Sequence, residues 1–191
     1  MTDWTVVIPV KGNAFSKSRL GASAQLALAL ALDTAAAAAE VARVVVITSA
    51  ASRPLFEALG AQTALDEGGG LLAAVVLGLR SAGTGPTAVL LGDVPALRPS
   101  ELEAALALAT GHPLAFVPDA DDDGTVLITA LDPTDHRPAF GVHSRAAHLA
   151  SGYVELEIPS DSGLRRDVDT AEQLDGLGER VGPRTRQTLS K

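Results

Sequence analysis

Short runs of branched apolar residues recur along this chain, each followed by a segment with helical spacing. "TVVIPV" (5–10) precedes the alanine-rich "LGASAQLALALALDTAAAAAEVA" (20–42), and "RVVVITS" (43–49) precedes "RPLFEALG" (53–60). "QTALD" (62–66) leads through a glycine turn into "LLAAVVLGLR" (71–80), and "TAVLLGD" (87–93) precedes a helix opening at Pro99, Ser100 and Glu101. Strands buried on both faces read as continuous apolar runs, and strand–helix alternation demands right-handed crossovers. The fold class is therefore α/β, a mostly parallel, doubly wound sheet with helices on both sides. After "LAFVPD" (114–119) the rhythm changes, and "TVLITAL", "SRAAHLASG" and "YVELEI" predict a small irregular or antiparallel insertion. A last short helix is expected near Asp169. The 191 residues suit one domain over 1–191, with about 183–191 as a polar tail.

Composition narrows the function classes. A formal charge of -8 argues against nucleic acid as a partner. Cysteine is absent, which excludes thiolate metal sites and thiol nucleophiles and fits a reducing compartment. The 20–42 stretch raises a membrane question, but Asp33 near its middle would cost roughly 2.5–3.5 kcal/mol at a bilayer centre. Gln25, Asp33 and Glu40 fall on one helical stripe, as on a mostly buried soluble helix. No basic leader with an apolar cleavage segment opens the chain, so it reads as soluble and cytoplasmic, with no membrane partner. A homo-oligomer is left open.

In open α/β sheets, ligands bind beyond the carboxyl ends of the strands. The first strand delivers "VKGNAFSKSRL", with Lys11, Lys17 and Arg19 and no acid between them, then Ser23 as a candidate helix cap. Two readings stand for these cations: a phosphate-binding loop, or a solvated surface loop. Neither G-x-x-x-x-G-K-[ST] nor G-x-G-x-x-G is present. The fourth strand ends in "LLGDVPAL", which places Asp93 at the sheet's mouth, either as a Mg²⁺ ligand or as a turn residue before proline. In "LRRDVDTAEQL", period two puts Asp167 and Asp169 on one side, about 6.5–7 Å apart along the chain. "DTAE" also reads as a capping box of Asp169 with Glu172. Arg165 and Arg166 could offset these carboxylates or meet a phosphate.

Other features of the chain are weaker. "DADDDG" (119–124) begins like a calcium loop, but Ala130 stands where the bidentate glutamate belongs, so a solvated acidic turn is the better reading. The four histidines show no zinc spacing, and there is no G-x-S-x-G elbow. Gly69 and Gly70 in "DEGGGLL" give a turn whose backbone could approach a nucleotide, or a plain loop. Cations on the first loop and metal-type aspartates on later strands point to nucleotidyl or phosphoryl transfer.

"IPVKGNAFSKSRL", "LLGDVPALRPSEL", "PAFGVHSRAAHLASG" and "GLRRDVDTAEQL" together resemble the 2-phospho-L-lactate guanylyltransferase (phosphoenolpyruvate guanylyltransferase) family of coenzyme F-420 biosynthesis. The resemblance implies a nucleotidyltransferase fold related to the glycosyltransferase A type. It implies transfer of GMP from GTP to phosphoenolpyruvate or 2-phospho-L-lactate, with release of pyrophosphate. Carried over motif by motif, Lys11, Lys17 and Arg19 would hold the GTP phosphates and Asp93, Asp167 and Asp169 the Mg²⁺. Thr125, Gly141 and Ser144 would line the acceptor pocket, and turnover would rest on Lys17, Arg19 and Asp93. The acceptor's phosphate oxygen is already anionic, so the implied in-line attack needs no general base. Two departures stand out: Leu72 where the family usually has asparagine, and the acidic run before Gly124. Rival readings are a molybdenum-cofactor or sugar-phosphate nucleotidyltransferase, whose usual "LAGG" opening is missing here, and a non-catalytic nucleotide-binding domain.

Overall fold

The structure, a computed structural model, describes residues 3–10 and 24–190. Lys11, Lys17, Arg19 and Ser23 lie outside the described residues. Seven strands form one sheet: β1 (Thr5–Pro9), β2 (Arg43–Thr48), β3 (Gln62–Leu65), β4 (Thr87–Leu90), β5 (Leu114–Pro118), β6 (Thr125–Ala130) and β7 (Val154–Glu155). Their order is β3-β2-β1-β4-β6-β5-β7. β1, β2, β3 and β4 are mutually parallel, and β7 is parallel to β5. β6 is antiparallel to both of its neighbours, β4 and β5. The antiparallel component is thus a strand built into the middle of the sheet. Its reversed direction brings its first residue, Thr125, to the edge where the parallel strands end.

Helices α1 (Ala24–Ala39), α2 (Arg53–Glu57), α3 (Gly70–Ala82), α4 (Pro99–Ala109), α5 (Ser144–Ala150), α6 (Ala171–Leu177) and α7 (Pro183–Leu189) complete the chain. Alternate residues of the parallel strands enter different layers. Val6, Ile8, Val44 and Val46 pack against Ala31 and Ala35 of α1 and Leu102 and Leu106 of α4. Val7, Val45 and Ile47 face the other way, onto Ala74, Val75 and Ala82 of α3. Gly78 lets α3 approach β1 closely, since a Cβ there would sit 2.2 Å from Val7 Cγ1. With both faces covered, the central strands have no polar side, which accounts for their unbroken apolar runs. No helix among the described residues is long and apolar enough to cross a membrane.

The segment expected to be a polar tail is instead α7, docked on α1. Asp33 explains the difference. Its carboxylate accepts hydrogen bonds from the N–H groups of Arg184 (3.1 Å) and Thr185 (2.8 Å), two donors in the first turn of α7 that lack helical partners. Gly182 precedes the helix without a capping side chain, and Asp33 fills that role from α1. A Cβ at Gly182 would lie 2.4 Å from Asp33 Cγ. Asp33 is accordingly buried, whereas Gln25 and Glu40 are exposed, so the polar stripe expected on α1 is interrupted by the docked helix. Asp33→Ala removes the cap and is expected to destabilise the protein by about 1–3 kcal/mol, readable as a lower urea midpoint at unchanged m-value.

Candidate active site

The order β3-β2-β1-β4 reverses direction between β1 and β4, and the crevice beyond their carboxyl ends is the switch point at which ligands bind. A cleft of about 660 Å³ opens there. Pro9, Val10, Gly92 and Asp93 form its floor, Asp167 and Asp169 one wall, and Thr125, Gly141 and Ser144 another. Six of the residues singled out from sequence therefore share one cavity. Gly69 and Gly70 are not among its lining residues, although the adjacent Leu71 is. Both glycines hold positive φ (98° and 85°) in the turn that opens α3. Leu72 is 47 % exposed and also outside the lining set.

Backbone contacts place the acidic side. Thr34, buried in α1, donates its hydroxyl to Leu30 C=O (3.0 Å) and accepts from Val94 N–H (3.1 Å), pinning the loop just after Asp93. Val168 N–H donates to Asp93 C=O at 2.9 Å, which lays the 167–169 segment alongside that loop. Glu101 in the first turn of α4 clips the approach. Its carboxylate accepts from Arg98 N–H (2.9 Å), Gly163 N–H (2.8 Å) and the Ser162 hydroxyl (3.0 Å). Only glycine fits at 163, where a Cβ would meet Ala96 O at 2.0 Å. Val168 is buried with Leu174 and Leu177, so its neighbours Asp167 and Asp169 both turn to the cleft, as period two requires.

Two local expectations are corrected. The capping box of α6 is Thr170 with Gln173, one residue later than read, with Gln173 N–H donating to Thr170 Oγ1 (3.2 Å) and Thr170 N–H to Gln173 Oε1 (3.0 Å). The Asp169 carboxylate is thereby relieved of capping. Arg165 does not reach toward a phosphate. It is buried and donates to the carbonyls of Asp119 and Ile158 and to the Asp122 carboxylate. The acidic turn 119–124 is correspondingly a braced hairpin turn between β5 and β6. The Asp119 carboxylate accepts from the N–H groups of Asp123 (3.1 Å) and Gly124 (2.8 Å). His143 pairs with Asp123 at 2.7 Å and holds that carboxyl below its usual range.

Among the described residues no three acidic or histidine side chains converge as a metal cluster. Asp93, Asp167 and Asp169 supply oxygen donors around one cavity, without a closed three-carboxylate cage.

The side that carries Thr125 rests on two histidines. The Thr125 hydroxyl lies 2.9 Å from His148 Nδ1, and the other ring nitrogen, Nε2, lies 3.0 Å from Ala139 N. His148 is 0 % exposed, packed among the rings of Phe116, Phe140 and Tyr153. Behind it, Arg137 N–H donates to the Tyr153 hydroxyl (2.8 Å), which lies 3.2 Å from His136 Nδ1, while His136 Nε2 lies 3.0 Å from Thr87 Oγ1. Burial lowers both imidazoles from 6.5 to about 4, so both are neutral near pH 7.

Thr34, Glu101 and His148 went unremarked as site-builders in the sequence. Glu101 gave a signal, as an acid in a first turn, but its long-range partners did not. His148 lies four residues after Ser144 on α5, and that spacing was the one clue that it shares a face with the pocket.

A family model described as the MobA-like NTP transferase domain matches residues 17–158. The chain is 48 % identical over 199 positions to a phosphoenolpyruvate guanylyltransferase of Streptomyces coelicolor, covering 95 % of this chain and 93 % of that one. A phosphoenolpyruvate guanylyltransferase of Geodermatophilus obscurus is 44 % identical over 203 positions, covering 97 % and 94 %. Among solved structures, a nucleotidyl transferase from Methanothermobacter matches with a TM-score of 0.64 at 17 % identity, covering 97 % and 99 %, a likeness of fold.

The two buried imidazoles make a stability prediction. Their folded values of about 4 lie below the ordinary 6.5, so their neutral forms favour the folded state in full above pH 6.5. That contribution is lost as pH falls from 6.5 to about 4, with a slope of up to about 1.4 kcal/mol per pH unit for each histidine. Urea unfolding at stepped pH should show this fall, and His136→Gln should make it shallower.

Proposed function

The chain belongs to the phosphoenolpyruvate guanylyltransferase family, and we propose that phosphoenolpyruvate is its physiological acceptor. It is a nucleotidyltransferase of coenzyme F-420 biosynthesis that moves GMP from GTP to phosphoenolpyruvate or 2-phospho-L-lactate. The choice of phosphoenolpyruvate follows the relatives' activity. The observation that carries the site reading is one cleft that Asp93, Asp167 and Asp169 share with the hydroxyls of Thr125 and Ser144 and the backbone of Gly141.

In this reading an oxygen of the acceptor's phosphate attacks the α-phosphorus of GTP. A new P–O bond forms to that oxygen, the bond from the α-phosphorus to the bridging oxygen breaks, and pyrophosphate leaves with the electron pair. The attacking oxygen is anionic near neutral pH, so no side chain has to remove a proton. Among the described residues no histidine lines the cleft, in agreement with this. Thr125 and Ser144 offer hydroxyls, and Gly141, at φ 139°, offers backbone that a side chain does not screen. These three orient the acceptor's carboxylate and phosphate for attack.

The acidic side suits Mg²⁺. That ion typically takes one or two carboxylates and completes its shell with substrate phosphates and water, which fits carboxylates spread around a cavity. Asp93, with Asp167 or Asp169, would hold it, and when bound it supplies charge neutralisation at the transferred phosphoryl group. Lys11, Lys17 and Arg19, in the sequence that follows β1, are assigned to the GTP phosphates from their sequence positions, as are Gly69 and Gly70 to the nucleotide.

Asp93→Ala should lower kcat by about 10³-fold or more while leaving the circular dichroism spectrum unchanged. Normal turnover would remove Asp93 from the site. The acceptor is tested by mass spectrometry of one reaction with GTP, Mg²⁺ and pyrophosphatase, containing equal phosphoenolpyruvate and 2-phospho-L-lactate. A dominant guanylylated phosphoenolpyruvate is expected, and a dominant lactate product would reverse the choice.

A further inference from the structure

We infer that His148 is a positioning residue for the acceptor, a buried imidazole held in one tautomer that turns the proton of the Thr125 hydroxyl away from the ring and leaves it to be donated into the cleft. This rests on the reading above that the acceptor acid sits against Thr125.

The assignment follows from two hydrogen bonds and the direction each must take. Ala139 N–H is a backbone donor, so the His148 Nε2 facing it at 3.0 Å has to be the acceptor and carries no proton. The neutral ring then bears its single proton on Nδ1. Nδ1 lies 2.9 Å from Thr125 Oγ1, and a protonated Nδ1 has no lone pair to offer. The Thr125 oxygen is therefore the acceptor of that contact, and its own proton must go elsewhere. Among the described residues Thr125 Oγ1 has no other hydrogen-bond partner, and Thr125 lines the cleft.

The ring cannot trade these roles cheaply. A flip would set a carbon against Ala139 N–H and leave a half-buried donor unpaired. Phe116, Phe140 and Tyr153 surround the ring and leave no water to take its place. A free hydroxyl rotates its proton toward whichever acceptor is nearest; this one has its proton turned away from the ring. It is set to donate to an anionic oxygen, a carboxylate or phosphate. The preference conferred is for such an oxygen at that point, and it originates in a residue outside the cleft lining.

The first test reads the tautomer directly, by ¹⁵N chemical shifts of the His148 ring in the wild-type protein at pH 7. A protonated Nδ1 with unprotonated Nε2 is expected, and the reverse pattern overturns the inference whether or not the enzyme is active. The second uses kinetics with whichever acceptor the wild type guanylylates. The Asn amide falls near the Nδ1 position and can still donate to Thr125, whereas the Gln amide falls near Nε2 and satisfies only Ala139. His148→Gln should raise KM for the acceptor about 10- to 100-fold with KM for GTP unchanged, and His148→Asn should recover most of that loss. Thr125→Val should match His148→Gln, and the double variant should be no worse than Thr125→Val alone. Equal loss in the Asn and Gln variants, a parallel rise in KM for GTP, or additive effects in the double variant would overturn it. A wild type that guanylylates neither acid defeats the acceptor reading instead, and the ring shifts still decide the tautomer.

Discussion

One backbone hydrogen bond, Val168 N–H to Asp93 C=O, makes a single acidic wall out of two distant stretches of chain. Carboxylates on separate loops would drift by more than phosphoryl chemistry tolerates; tied through the main chain, they share a frame. The bond in turn needs both of its partners held. Thr34 anchors one side from within α1, and the Glu101 clip, with the missing side chain at Gly163, anchors the other. Even α7 joins this support, since Gly182 N–H donates to Pro95 C=O just beyond Asp93.

An acidic protein that binds two polyanions has to manage its own charge. The acidic turn 119–124 leads into Thr125, and Asp119 and Asp123 border the cleft. Three of its four carboxylates are nonetheless occupied: Asp122 by Arg165, Asp123 by His143, and Asp119 by two backbone donors. Arg145 adds a contact to the Asp122 carbonyl while paired with Glu155. Arginine suits this work because its planar fork spans several oxygens at once and stays charged. The negative potential facing an incoming acid is thereby reduced where the acid would sit, and kept where a cation would bridge its partner's phosphates.

What could be read in the sequence was local, and what could not was long-range. Unbroken apolar runs identify strands covered on both faces, and the turn to Asp93 follows directly from where such a strand must end. Period two at Asp167 and Asp169 needed no partner to be read. By contrast, the placement of β6 between β4 and β5 depends on pairing across the sheet, which its own residues do not encode. The same limit hid α7: "GPRTRQTLSK" is polar enough to pass for a tail until Asp33 supplies the cap. Beside Asp167, Arg165 could be read as offsetting carboxylates or meeting a phosphate, and only the position of the Asp119 carbonyl shows it to be structural. The capping box slipped by one residue because "DT" offers two good caps in succession, and Gln173 rather than Glu172 decides between them. The pocket residues Thr125, Gly141 and Ser144 had no signal of their own beyond the family resemblance.

The seam between β4 and β6 divides the sheet into two constructions. On one side, β1 to β4 are joined by helical crossovers; on the other, β5 and β6 form a hairpin that carries its own turn, with β7 on its outer edge. The two meet along one ladder, from Thr87 opposite Ala130 to Leu90 opposite Leu127. Asp93 belongs to the first construction, and Thr125 with its supporting histidine to the second. Under the proposed assignment the hairpin could be remodelled for a different phosphorylated acid, so long as that ladder's register is kept, without rebuilding the turn that carries Asp93. The mixed sheet makes the two sides of the cleft separable inheritances.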